Sequence, residues 1–126
     1  MLIESVLRGI LIADAEVSAV VSDRIYLMHL PRVNTLPAIV YQGISGVQDG
    51  LTGVAHPRIQ YTCIAKTPVA AKKLANKVKD ALHGHKGVHG NIQISYIEYV
   101  GMTDDYDEEA GTYWVLVDFF VTFKET

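Results

Sequence analysis

The chain has one cysteine, one tryptophan and four prolines in 126 residues, and each shortage removes a class of protein. A lone thiol, Cys63, cannot close an internal disulfide, and its alternation with Ile59, Tyr61 and Ala65 reads as a buried structural group in a reducing compartment. No apolar run approaches the roughly 20 residues that a membrane helix needs. The net charge of −3 provides no cationic footprint for non-specific nucleic-acid binding. The opening Met1-Leu2-Ile3-Glu4-Ser5 has a carboxylate and no basic residue, unlike a signal peptide. A soluble protein made inside the cell is the expectation.

Composition is otherwise ordinary: 49% hydrophobic and 20% charged, one domain by length (residues 1–126) with a single core. The distinctive segment is Thr112 to Lys124. Tyr113, Val115, Val117, Phe119, Val121 and Phe123 form an unbroken period-2 apolar series, as on the buried face of a strand. The alternate positions Trp114, Leu116 and Phe120 are also apolar, although a sheet with helices on one side should show water a polar second face. That face is expected to be an assembly surface. The alternative is a cover from the same chain, residues 25–36. Just upstream, Asp104, Asp105, Asp107, Glu108 and Glu109 place five carboxylates in six residues, which reads as an acidic loop.

Leu2, Ile3, Val6, Leu7, Ile10 and Leu11 recur at helical spacing and predict a helix over 2–13. Asp14 caps a second, short helix over Glu16–Val21. Ile25-Tyr26-Leu27 is a brief extended piece, and Pro31 and Pro37 bracket a loop. Ala38–Ser45 and Arg58–Lys66 read as one antiparallel pair. Thr67-Pro68 starts a helix whose buried stripe is Val69, Leu74, Ala75, Val78 and Leu82, with Lys72, Lys73, Lys77 and Lys79 on wetter positions and Gly84 ending it. Asn91–Val100 and Thr112–Lys124 make a second pair. The fold class is therefore α+β: a mainly antiparallel sheet of about four strands, as two hairpins, with helices on one face. Gly46–His56 and Gly101–Gly111 are expected to be long, mobile loops.

Catalytic chemistry finds no anchor. His83, His85 and His89 lie in a glycine-rich run with no cysteine partner, which reads as a solvated connector rather than a zinc site. The acidic stretch lacks the Asp-x-Asp-x-Asp-Gly order of a calcium loop. No serine sits in a Gly-x-Ser-x-Gly turn, and Gly84 to Gly87 lacks the Walker spacing. No catalytic, cofactor or metal residue is assigned.

The order of segments resembles a known family. Leu11-Ile12-Ala13-Asp14-Ala15 is followed by Val17 to Val21, Asp23-Arg24-Ile25-Tyr26 and Leu36-Pro37-Ala38-Ile39-Val40-Tyr41. Arg58 to Cys63, the helix after Thr67-Pro68, and Asp104-Asp105-Tyr106-Asp107 before an aromatic strand complete the series. From residue 2 to 124 it is similar to the tail-completion family of long-tailed bacteriophages and prophages, whose architecture is like that of tail terminator proteins. The resemblance implies a non-enzymatic virion protein. It implies a hexameric ring at the head-proximal end of the tail tube, which ends tube growth and joins the tail to the head connector. Its partners would be other copies, the tail-tube protein and head-connector proteins. It would be assembled in the host cytoplasm, with phage DNA passing through but not read, and no membrane involved. An acidic loop facing that channel would repel DNA. Two other readings use the same residues: a small metal-dependent hydrolase built on Asp104, Asp105 and Asp107 with His85 or His89, and an oligomeric adaptor unrelated to phage.

Overall fold

A computed structural model describes residues 2–46 and 50–126. Among these residues the chain forms α1 (Ile3–Ala13), α2 (Ala15–Val21), β1 (Ile25–Leu27), β2 (Ala38–Ser45), β3 (Val54–Ala55) and β4 (Arg58–Ala65), followed by α3 (Pro68–Leu82), β5 (Gly87–His89), β6 (Ile92–Asp107) and β7 (Thr112–Glu125). The strands form one sheet in the order β1-β2-β4-β7-β6-β5, with β3 paired to the end of β7. The α+β class holds, but the sheet is larger than four strands and is mixed. β1 lies parallel to β2, with Ile25 opposite Ile39, while the other pairings are antiparallel. A parallel neighbour needs a long crossover, and residues 28–37 supply it.

The helix starts follow local chemistry. Asp14 Oδ1 accepts from the amides of Glu16 and Val17, and Thr67 Oγ1 accepts from that of Ala70, satisfying first-turn donors that have no partner within the helix. Ile3, Val6, Leu7 and Leu11 of α1 and Ala71, Leu74, Ala75, Val78 and Leu82 of α3 are buried. They join Val115, Val117, Phe119 and Val121 in a single core. Val69 does not belong to that stripe: it sits in the first turn of α3 and is exposed, and Ala71 takes the inward position. At the centre Tyr41 stacks on Tyr61 at 5.6 Å, and Tyr61 and Tyr99 meet Phe119 edge-on at 5.8 and 6.1 Å.

Two arginines tie the helices to the sheet edge. Arg8 of α1 donates to the carbonyls of Asp23 and Ile25, each at 2.9 Å. Arg24 donates to Val20 O at the end of α2 and to Pro37 O at the start of β2. The Asp-Arg-Ile-Tyr segment is thus a carbonyl clamp that aims β1 along β2.

The largest departure concerns residues 101–111, expected as a loop. β6 runs on to Asp107, paired with β7 as far as Thr112, and the turn contains only residues 108–111. The register shifts between Ile94 and Tyr96 and again between Tyr99 and Gly101, leaving Ser95 and Val100 as extra residues. The inward positions are consequently Ile94, Ile97, Tyr99 and Met102, an alternation broken twice. The glycine-histidine run also holds a short edge strand, β5, that reading it as a connector missed. Of Gly46–His56, residues 47–49 lie outside the described residues, and Val54–Ala55 forms β3.

Phe119 has no exposed surface. Phe119→Ala is expected to cost about 3–5 kcal/mol in urea unfolding. A loss below about 1 kcal/mol would show that this aromatic contact does not organise the core.

Candidate functional site

β7 separates two environments. Its odd-numbered residues face the helices, whereas Trp114, Leu116, Asp118, Phe120 and Thr122 face outward. Register places Ile64 beside Trp114, Thr62 beside Leu116, Gln60 beside Asp118 and Arg58 beside Phe120. On the other side Asp105, Thr103, Gly101 and Glu98 flank the same four residues of β7. Trp114 and Leu116 are half-buried and Phe120 is 38% exposed.

This outer face has two parts. At the Trp114 end, Met28, His29 and Leu30 wall a groove of about 280 Å³ with Val40, Gln42, Thr62, Ile64 and Trp114. Ile64, although on the outer face, is only 3% exposed. The crossover segment therefore shelters one end of the face, while Val33 beyond it is fully open to solvent at 92%. The Trp114 indole donates to Thr112 Oγ1 at 2.9 Å, which fixes the ring along the strand.

The other part surrounds a charge pair. Arg58 donates to Asp118 Oδ2 through Nε, at 3.2 Å, and through Nη2, and its guanidinium stands 5.9 Å from the Phe120 ring centre. Asp118 Oδ1 is buried and has no hydrogen-bond partner among the described residues. A buried carboxylate oxygen without a donor is costly, and the paired Oδ2 with Arg58 offsets part of that cost.

The five carboxylates of the acidic stretch do not converge. Register puts Asp104 opposite Val115, on the helix side, and its Oδ2 lies 2.7 Å from Lys72 Nζ of α3. Asp105 lies opposite Trp114 on the outer side, and its Oδ1 accepts from the Tyr106 amide. Asp107 Oδ1 accepts from the amides of Glu109 and Ala110 and so shapes the turn, with Gly111 in the left-handed region at φ 67°. Glu108 and Glu109 are exposed at the tip. The stretch is an acidic hairpin end, not a loop.

His85 and His89 lie at the opposite end of β6, since His89 pairs with Ile92. Twelve residues of extended strand separate Ile92 from Asp104, roughly 40 Å. The hydrolase constellation of Asp104, Asp105 and Asp107 with either histidine therefore does not assemble. Among the described residues no three His, Cys, Asp or Glu side chains come together to hold a metal ion. Burial, and then the neighbouring His89, lower the His85 pKa. Cys63 is buried within β4, and burial pushes its thiol pKa far up, so it is no nucleophile. The α3 lysines have structural contacts: Lys77 lies 3.8 Å from Glu16, and Lys79 lies 4.7 Å from the Tyr99 ring centre.

The described residues thus form a sheet with helices on one side and a partly apolar outer face, and no three metal-ligating side chains among them converge. Residues 5–124 match the family described as tail completion protein gp17, so the chain belongs to that family, whose members are structural proteins of bacteriophage virions. Among solved structures it is similar to a chain of the "virion of native gene transfer agent (GTA) particle", with a TM-score of 0.70 and 20% identity, covering 96% of this chain and 93% of that one. At that identity the likeness is one of fold. No curated protein matches the sequence. No described helix is long and apolar enough to cross a membrane.

The hairpin geometry makes a direct prediction for hydrogen exchange. Amides of β7, and those of β6 that point toward it, on either side of the Asp104–Val115 pair should exchange much more slowly than those of residues 108–111. Equal, fast exchange throughout would show that the hairpin end is open in solution. Lys72→Ala should change stability by less than about 0.5 kcal/mol, because both charges of its pair are more than half exposed.

Proposed function

We propose that this chain is a non-enzymatic ring subunit that ends the tail tube at its head-proximal end and joins it to the head connector. Family membership supplies the context, and the observation that carries the reading is the outer face of β7. Trp114, Leu116 and Phe120 lie along the outer face of β7, whose Trp114 end is sheltered by residues 28–30 and whose Phe120 end is exposed. Apolar surface of this kind marks partner contacts, and aromatics supply their strongest points. In the ring, a hexamer, this face packs on a neighbouring copy. The tail-tube protein and the head connector take the two ends of the ring.

The acidic hairpin end belongs to the same reading. Asp105, Asp107, Glu108 and Glu109, with Asp104 partly offset by Lys72, turn toward the channel and keep DNA from adhering as it passes. The ring reads no sequence and forms in the host cytoplasm before becoming part of the virion.

Replacing Trp114 and Leu116 together with serine should leave a folded monomer that forms no rings and joins no tails. Circular dichroism reports the fold, sedimentation velocity the assembly, and complementation of a phage lacking the protein reports joining. A double variant that still assembles would reject this face as the ring contact. One that unfolds would make it part of the monomer core.

A further inference from the structure

The glycine-histidine run after α3 places two imidazoles together in a way that its spacing alone did not reveal. His85 follows the end of the helix, and its amide donates to Leu82 O at 3.1 Å. His89 closes the short strand β5, opposite Ile92. Between them the chain turns through Gly87 at φ 154°, a conformation that side-chain-bearing residues rarely adopt. The two Nε2 atoms come within 3.0 Å, with ring centres 5.2 Å apart and planes tilted by 32°. A Cβ at Gly87 would lie 3.6 Å from His89 Nε2 and 4.0 Å from His85 Nε2, so both nitrogens gather over the one residue without a side chain.

We propose that His85 and His89 form a two-imidazole chelating site for a divalent transition-metal ion such as Cu²⁺, Ni²⁺ or Zn²⁺. Nitrogens bound to one ion at about 2.0–2.1 Å stand roughly 3 Å apart when adjacent in its coordination shell. The pair already has that separation. The ion replaces the proton that the two rings share; ring centres 5.2 Å apart place the nitrogens nearly head to head, so each ring turns by roughly 40° to aim its lone pair at a common ion. Both rings are half-buried and line an open groove of about 730 Å³ against α1, formed with Ser5, Val6, Gly9 and Ile10 among others. Among the described residues the one charged side chain in that wall is Asp14, a carboxylate, with no lysine or arginine lining it to oppose a cation. The groove leaves room for water to complete the shell. Imidazole pairs select borderline ions, with Cu²⁺ held most tightly and Zn²⁺ and Ni²⁺ more weakly. A bound ion would fasten the helix connector to β5 and hold that sheet edge closed.

The experiment titrates the untagged full-length chain with CuCl₂, NiCl₂ and ZnCl₂ in a non-chelating buffer at pH 7.5. The expected result is one saturable ion per chain, with a melting temperature raised by about 3–6 °C at saturation. His85→Gln and His89→Gln should each weaken binding at least tenfold, whereas His83→Gln, whose ring accepts the Tyr99 amide instead, should leave it unchanged. Paramagnetic broadening by Cu²⁺ gives a second readout on the unaltered protein. Amides of residues 84–90 and of the groove side of α1 should fade first. Absence of saturable binding, affinity in either glutamine variant equal to that of the unaltered chain, or broadening centred on residues 104–109 would overturn the site. None of these outcomes depends on ring formation.

Discussion

The pairing of β7 with strands on both sides is the constraint on which the rest of the molecule depends. Its register with β4 sets Cys63, Tyr61 and Ile59 against Val115, Val117 and Phe119, and its register with β6 brings Tyr99 and Met102 to the same layer. A slip of one residue would turn Phe119 outward and Phe120 inward and exchange the two faces. Helices α1 and α3 have a core to cover only because this register holds. The apolar outer residues are the other half of the same alternation, so the packing that stabilises the monomer also fixes what it presents to partners.

Much of this was legible in the sequence where one period governs a segment. The helical spacing of α1, the Asp14 and Thr67 caps and the alternation of β7 each specify their element locally, and all three appear as read. β6 was legible only as far as its second irregularity. Extra residues at Ser95 and Val100 place successive inward side chains three apart, Ile94 to Ile97 and Tyr99 to Met102, so the period-2 signal fails while the strand continues. Carboxylates disfavour strands, and the acidic residues beyond Val100 suggested a loop. Fourteen paired positions along β7 outweigh that preference.

The candidate site shows the same limit. Trp114, Leu116 and Phe120 could be placed on one face by counting, but the shelter from Met28–Leu30 could not, because it depends on where an irregular crossover lies. Nor could counting show that Asp104 and Asp105 point to opposite sides of a sheet, one toward Lys72 and the other beside Trp114. The extended Ile25–Leu27 was legible, but its parallel pairing with β2 was hidden for a related reason. Its three residues carry little pattern, and two arginines hold it in place through main-chain carbonyls that no sequence motif displays.

The long outer edge of β6 has a consequence for how two copies of the chain can meet. A bare strand edge is a template for another strand, and at high concentration it invites endless lateral growth. Here β5 covers the first part of the edge, Gly84 donates to Ile97 O, and the Tyr99 amide is taken by His83 Nδ1. Val100 then kinks the edge, and Asp104, Asp105 and Asp107 charge what remains. Each device spoils one stretch of the template, so fibre-like stacking of copies along this edge is disfavoured.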